Sequence, residues 1–177
     1  VTRSVGKEGS SSLARRICVT VNGIVHEALV EPRTTLADFL RGELGLGGTH
    51  IGCEHGVCGA CTILLEGRTV RACLMLAVQS DGRSLTTIEG LERDGALHPI
   101  QQAFIDNTAS QCGMCTPGMI IAAAYYLENP DQAEDVREAL AGNQCRCTGY
   151  VRILESVKAS LAKIRAADPE RYARISP

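Results

Sequence analysis

The placement of nine cysteines is the feature that most constrains this chain of 177 residues. Eight of them fall into two groups of four, and Cys18 stands alone. The first quartet has the spacing C-x4-C-x2-C followed by one distant cysteine, and the second combines C-x2-C with C-x-C: Cys53, Cys58, Cys61 and Cys73; Cys112, Cys115, Cys145 and Cys147. Disulfide frameworks belong mostly to short secreted chains. Two compact quartets in a longer chain therefore favour reduced thiols that hold metal.

The start of the sequence also favours reduced thiols. Residues 1–16 are polar and contain no apolar segment of the kind that a secretory signal requires. Arg15 and Arg16 suggest a twin-arginine signal, but only the short apolar stretch 17–21 follows them, and it fits a strand better. Because disulfides persist mainly in oxidising compartments, we expect a cytoplasmic protein.

Composition excludes several other classes of protein. Hydrophobic residues make up 45% of the chain, which is enough for a packed core. No run of 18 apolar residues occurs, so we expect no membrane span. The formal net charge of −2 and the absence of Trp argue against a nucleic-acid partner, because such proteins carry a basic excess and use aromatic stacking.

The pattern over residues 16–90 predicts a small α+β domain, preceded by a flexible arm at 1–15. Asn22-Gly23 is a strong hairpin turn between two alternating segments. A capping box begins a helix at Thr35, and Gly45 ends it. The glycine-rich stretch that carries three cysteines is a loop. The predicted strands are residues 17–21, 24–30, 62–65, 68–73 and 85–88.

Residues 91–165 show helical periodicity instead of alternation. We predict four helices, with Pro117 in the first turn of the second and Gly142 after the third. Four helices in so short a segment indicate a small four-helix bundle. A charged tail at 166–177 is expected to be mobile or to dock on a partner. The predicted helices are residues 99–105, 117–127, 131–140 and 151–164.

The spacing of the first quartet is that of plant-type ferredoxins, which hold a [2Fe–2S] cluster with four thiolates. Such a cluster is anionic, and it needs backbone N–H groups that point at its sulfurs. A glycine-rich loop allows the backbone to approach that closely. The alternative is a structural zinc site, which usually combines two short C-x2-C spacings.

The second quartet is ambiguous on spacing alone, because four thiolates suit zinc as well as an iron–sulfur cluster. Its two pairs of cysteines precede predicted helices, so two positive helix ends would face one anionic group. The first quartet favours a second [2Fe–2S] cluster, because two neighbouring electron carriers would form a path.

The cysteine spacings stand in three longer motifs: HIGCEHGVCGACT at 50–62, QCGMCTPG at 111–118 and GNQCRCTGY at 142–150. These motifs closely resemble the iron–sulfur subunit of molybdenum hydroxylases, the family of xanthine dehydrogenase, aldehyde oxidase and aerobic carbon monoxide dehydrogenase. They occur in family order and spacing, and the resemblance covers residues 16–165.

The resemblance implies two [2Fe–2S] clusters in two domains. The first domain resembles a β-grasp ferredoxin, and its ligands would be the first quartet. The second is a helical domain whose ligands would be the second quartet. By similarity, Gln111 and Cys147 should lie against the pterin of a partner subunit, which would place the second cluster next to molybdenum.

The resemblance also implies partner subunits. In relatives a large subunit binds molybdenum through molybdopterin, often as the cytosine dinucleotide, and a medium subunit carries FAD. Electrons leave molybdenum through the helical-domain cluster and then the ferredoxin-domain cluster towards FAD. We therefore expect a dimer of heterotrimers in which this chain transfers electrons and catalyses no step itself.

Residues outside the quartets offer no catalytic centre. The four histidines are scattered, and His50 and His55 are interpreted as loop or interface residues. Cys18 is out of phase with its apolar neighbours and is interpreted as an ordinary packing thiol. Two other functions stay open from the sequence: a freestanding two-cluster ferredoxin that shuttles electrons, and a scaffold held by zinc.

Overall fold

The computed structural model describes residues 2–5, 13–92, 94–129, 133 and 135–167. The first half of the chain forms a six-stranded mixed sheet in the order β1-β3-β2-β6-β4-β5. Its strands are β1 (Thr2–Val5), β2 (Arg15–Val21), β3 (Ile24–Val30), β4 (Thr62–Leu65), β5 (Arg68–Arg71) and β6 (Ser84–Thr86). Helices follow the sheet in the chain, and the predicted α+β class is confirmed.

Strand β2 shows how alternation places the core of this domain. Ile17, Val19 and Val21 are buried beneath the sheet, and β2 forms the predicted antiparallel hairpin with β3. Cys18 points the other way, as its phase in the sequence indicates, but it is exposed, so its interpretation as a packing thiol is wrong. Its position between buried residues on a strand with period two requires that orientation.

A short helical segment covers the core. It begins as α1 (Leu36–Asp38), where the Thr35 side chain accepts a hydrogen bond from the backbone N–H of Asp38, and continues as a π-helical turn over Phe39–Glu43. The sequence predicted one regular helix here. The wider turn still buries the large apolar side chains, among them Leu36, Phe39 and Leu40.

Three further boundaries differ from the prediction. The fifth strand ends at Arg71, and Cys73 lies instead in a 3-10 turn at Ala72–Leu74. The sixth strand begins and ends earlier than predicted, at Ser84–Thr86. Within the predicted arm, Thr2–Val5 pairs in parallel with β3, whereas residues 1 and 6–12 lie outside the described residues.

The described part of the second half contains α2 (Pro99–Asp106), α3 (Thr116–Glu128), α4 (Val136–Leu140) and α5 (Val151–Ala167). Asp135 caps α4, so the described helix begins later than the predicted start at residue 131, which lies outside the described residues. Residues 168–177 of the predicted tail also lie outside them. No helix in the described ranges is long and apolar enough to cross a membrane.

Helix α3 joins the two halves. Nearly all of its side chains are buried, including Met119 and Ile121, and it packs against β4. Leu64 of β4 belongs to the same apolar cluster as the helices. Sheet and helices therefore share a packed boundary, and this boundary determines how the two cysteine quartets lie relative to each other.

Candidate metal centres

The structure brings the first quartet together as two pairs of thiols. Cys53 interacts with Cys58, and Cys73 interacts with Cys61. The pairs are close enough for the charge on Cys53 to act on Cys73. Cys61 and Cys73 are buried, and the other pair is partly exposed. The loop before β4 and the 3-10 turn after β5 thus approach one site from two sides.

Backbone N–H groups point at Cys53, which belongs to the partly exposed outer pair, Cys53 and Cys58. The N–H groups of His55 and Cys58 donate to Cys53 Sγ, each with an N–S distance of 3.4 Å. The hydrogen bonds from the backbone of Cys58 and His55 lower the pKa of the Cys53 thiol to about 6. Since a thiolate and not a thiol binds metal, Cys53 is prepared as a ligand at neutral pH.

In the buried inner pair, Cys61 and Cys73, the pKa of one thiol is raised instead of lowered. Burial, together with the adjacent Cys61 thiol, raises the pKa of Cys73 to about 11. A buried thiolate is unfavourable unless a positive charge compensates it. Metal binding supplies such a charge and releases the proton. Cys73 therefore stays protonated until metal binds.

The second quartet also consists of two pairs. Cys112 interacts with Cys147, and Cys115 interacts with Cys145. Cys115 immediately precedes α3, as the sequence predicted for a helix N-terminus. Burial and the neighbouring Cys145 raise the pKa of the Cys115 thiol to about 12.

The two pairs of the second quartet differ in exposure. Cys112 and Cys147 are exposed, whereas Cys115 and Cys145 are half-buried. The Met114 backbone lowers the pKa of Cys112, and the Cys112 side chain raises that of Cys147. One edge of the site therefore faces outwards, and it carries one thiol, Cys112, whose pKa is lowered.

Side chains of the third motif support Cys145. Burial acts to raise the pKa of this thiol, but hydrogen bonds from the side chain and backbone of Thr148 and from the Cys147 backbone outweigh it and lower the pKa. The Thr148 hydroxyl lies 3.1 Å from Cys145 Sγ, and the Tyr150 hydroxyl accepts from the Cys145 N–H at 2.7 Å. The sequence singled out this motif without assigning these roles.

The two quartets are directly connected through their backbones. The N–H of Gln144 donates to the carbonyl of Cys58 at 2.8 Å. His50 Nδ1 lies 3.0 Å from the carbonyl oxygen of Met114. Gln144 and Met114 each stand next to a cysteine of the second quartet, whereas Cys58 and His50 belong to the loop region of the first.

Other residues of this junction escaped the sequence analysis. Asn143 and Arg71 bond across it, although neither has a spacing that marks a site. Gln111, which the second motif singled out, is exposed beside Cys112. The GNQCRC segment places an Asn next to a predicted metal loop, but only the fold shows that this side chain is buried.

The donor set fits a two-iron cluster at each quartet. Each iron of a [2Fe–2S] cluster takes two thiolates, and the thiols in both quartets are paired two and two. All nine cysteines are free thiols.

Comparison with protein families identifies two iron–sulfur domains. Residues 19–87 match the family described as "2Fe-2S iron-sulfur cluster binding domain". Residues 87–158 match the family described as "[2Fe-2S] binding domain". Each match contains one complete quartet.

Individual relatives resemble the chain over most of their length. It is 50% identical over 146 residues to the 6-hydroxypseudooxynicotine dehydrogenase complex subunit beta of Paenarthrobacter nicotinovorans, which covers 81% of this chain and 91% of that protein. It is 55% identical over 143 residues to the nicotine 6-hydroxylase small subunit of the same organism, covering 80% and 86%. The crystal structure of quinoline 2-oxidoreductase from Pseudomonas putida 86 matches with a TM-score of 0.81 and 47% identity, over 89% of this chain and 99% of that chain.

Proposed function

Because this chain belongs to the family of iron–sulfur small subunits of molybdenum hydroxylases, we propose that its two cysteine quartets each hold a [2Fe–2S] cluster and carry electrons out of a molybdenum subunit. The chain is an electron-transfer subunit of an oxidoreductase complex. The observation that carries the proposal is the pairing of eight free thiols, two and two, at two connected sites.

The proposed ligands are the two quartets. Cys53 with Cys58, and Cys61 with Cys73, would each hold one iron of the first cluster. Cys112 with Cys147, and Cys115 with Cys145, would hold the two irons of the second. When bound, each cluster accepts and releases one electron. The residues of this chain supply thiolates, N–H groups aimed at sulfur and a shell that limits access of water.

The domain organisation is proposed in the same terms. A β-grasp ferredoxin domain would span residues 16–90, and a four-helix-bundle domain would span residues 91–165. The mixed sheet with its cysteine-bearing loop supports the first, and α2 to α5 with their shared apolar cluster support the second.

The outward edge of the second quartet is the proposed contact with the molybdenum subunit. Gln111, Cys112 and Cys147 are all exposed there, and the Met114 side chain is 49% exposed. An apolar side chain beside exposed thiols is suited to a surface that a partner covers. Gln111 and Cys147 would then lie against the pterin, which we propose to be the cytosine dinucleotide form.

The remaining partners follow from the family. We propose a medium subunit with FAD as the electron acceptor, and a dimer of such heterotrimers. Relatives named as subunits of dehydrogenase complexes support the presence of partners. Nine free cysteines support a reducing compartment, and hence a cytoplasmic location.

Co-purification from the native host tests this proposal. We expect the chain to elute with a large and a medium subunit, with about four irons per small subunit, two for each cluster. The complex should also contain molybdenum and FAD. Reduction with dithionite should give two distinct rhombic EPR signals.

Two results would contradict the proposal. A colourless chain that contains zinc would instead be a scaffold held by metal. A lone chain that carries both clusters but binds no partner in its host would be a freestanding ferredoxin shuttle.

A further inference from the structure

The loop of the first quartet lies close against the segment before Cys145. Gly59 has a φ of 76°, and a Cβ added there would lie 2.5 Å from the carbonyl oxygen of Gly142 and 2.8 Å from the side chain of Asn143. No L-residue side chain fits such a space. The chain therefore holds the two cysteine-bearing segments at backbone contact.

Asn143 occupies this contact and is 3% exposed. Its side-chain Nδ2 donates to the carbonyl oxygen of Gly59 at 3.0 Å and to Thr62 Oγ1 at 3.2 Å. A primary amide has two N–H groups, and both are used across the junction. Breaking these bonds would leave buried polar groups without partners, which is costly.

Thr62 and Arg71 complete a network around Asn143. The Thr62 hydroxyl, in a residue 2% exposed, donates to the Gly59 carbonyl and accepts from Asn143 and from Arg71 Nη1. Arg71 Nη2 donates to the Gly142 carbonyl at 2.6 Å. One guanidinium therefore binds both sides of the junction, with the planar fork that only Arg provides.

The network is coupled to cysteines on both sides. Tyr150 donates its hydroxyl proton to the Asn143 carbonyl at 3.2 Å and accepts from the N–H of Cys145 at 2.7 Å. On the other side, Gly59 stands in the loop between Cys58 and Cys61. A displacement of Asn143 would therefore shift Cys145 relative to the first quartet.

We propose that the buried side chains of Asn143 and Thr62, together with the half-buried Arg71, form a latch that fixes the separation of the two quartets. In this proposal Asn143 is a positioning residue for electron passage between them. This inference rests on the proposed function. The step that it serves is the transfer of one electron from a reduced to an oxidised [2Fe–2S] cluster, with no bond made or broken. Such a step depends steeply on distance, and a fully satisfied buried network restrains distance well.

The first test replaces Asn143 by Asp in the intact complex. N143D keeps the shape of the side chain but presents an oxygen to the Gly59 carbonyl instead of an N–H donor. The matched control is N107D, because Asn107 Nδ2 donates to the Ala103 carbonyl at 2.9 Å near the end of α2, away from the junction. Both variants lose one amide-to-carbonyl bond of the same kind.

Two measurements apply to both variants. Hydrogen exchange, followed by mass spectrometry over residues 56–62 and 142–147, should become about tenfold faster in N143D, the change expected from losing buried hydrogen bonds. The magnetic interaction between the two reduced clusters should weaken in N143D, and electron passage should slow, with iron content unchanged. N107D should match the unmodified complex in all of these measurements.

A second pair of variants tests the same network in case N143D does not fold. T62V removes the hydroxyl at nearly constant volume, whereas T62S keeps it. T62V should reproduce the faster exchange and weaker magnetic interaction, and T62S should restore both.

Three outcomes would overturn the inference. Unchanged exchange and magnetic interaction in N143D and T62V would show that the latch does not fix the separation. Iron loss from both, with N107D and T62S intact, would assign the network to cluster assembly instead. If the unmodified complex itself lacks two iron–sulfur signals, the proposed function fails, and the positioning role fails with it.

Discussion

At the scale of single residues, chemically identical thiols acquire different properties from their surroundings. Backbone N–H groups lower the pKa of Cys53 to about 6, whereas burial raises that of Cys73 to about 11 and that of Cys115 to about 12. A thiol is ionised above its pKa, so at pH 7.5 Cys53 is mostly thiolate and the other two are thiols. Each quartet therefore contains at least one cysteine that stays protonated until metal binds.

This difference predicts an order of alkylation in the cluster-free chain. With iodoacetamide at pH 7.5, Cys53 should react before Cys73 and Cys115, because the thiolate is the nucleophile. Its rate should level off above about pH 7, while that of Cys115 should still rise beyond pH 9. Peptide mass spectrometry measures each site.

Unfolding is the control for this order. In concentrated urea the three thiols should return to an ordinary pKa of about 8.5 and react at similar rates. Equal rates in the folded chain would contradict the electrostatic account of the two quartets.

Sequence patterns predict which cysteines belong to each quartet better than they predict the environment of each thiol. Spacing alone brought eight cysteines into two quartets, because each short loop keeps its members close. The two-and-two pairing depends on how distant segments meet, and no spacing shows it. Cys18 illustrates the same limit, because the strand pattern places it opposite its apolar neighbours but does not show whether another element covers that face.

At the scale of elements, α3 fixes the relation between the two halves. It carries Cys115 just before its first turn and lies against the backbone of the first quartet's loop. A Cβ added at Gly118 would lie 2.2 Å from the Gly59 carbonyl oxygen and 2.8 Å from that of Ala60. The helix can approach so closely only because residue 118 has no side chain.

We therefore expect G118A to destabilise the complex. The added methyl group must push α3 away from the loop, and overpacking of this kind typically costs about 1–3 kcal/mol. Denaturant unfolding monitored at the iron–sulfur absorption measures the loss. The matched control is G47A, since nothing lies within 4 Å of a Cβ at Gly47. Equal stability of the two variants would refute the close approach.

Element types were predictable where alternation is strong, as in β2 and β3, or where a start signal is clear, as with Pro117 in the first turn of α3. The element boundaries that were predicted wrongly have local physical causes. The strand predicted to reach Cys73 ends at Arg71, because the chain turns there to bring the thiol to the site. The π-helical turn after α1 preserves the burial of Phe39 and Leu40, and the apolar spacing does not distinguish it from a regular helix.

At the scale of the whole molecule, the two quartets lie next to each other, and the second of them has an exposed end. Cys112 and Cys147 face outwards, and the N–H of Gln144 donates to the carbonyl of Cys58 between the two quartets. The sequence predicted both quartets through its motifs. It could not show the junction, because Asn143 and Arg71 are distant in sequence and meet only in the fold.

Methionine oxidation tests whether a partner covers the exposed end. Met114 is 49% exposed in the chain and Met119 is fully buried in α3. Limited peroxide treatment should convert Met114 to the sulfoxide in the isolated chain, and the complex should protect it. Met119 should resist in both and serves as the internal control. Equal oxidation of Met114 in both states would place the partner elsewhere.

EPR of the dithionite-reduced complex decides whether these two quartets hold two separate [2Fe–2S] clusters. We expect two rhombic signals, with about four irons per chain. C147A should lose one signal and C58A the other, each retaining about two irons, while C18A keeps both. One shared signal, or two signals that survive C147A unchanged, would contradict this expectation.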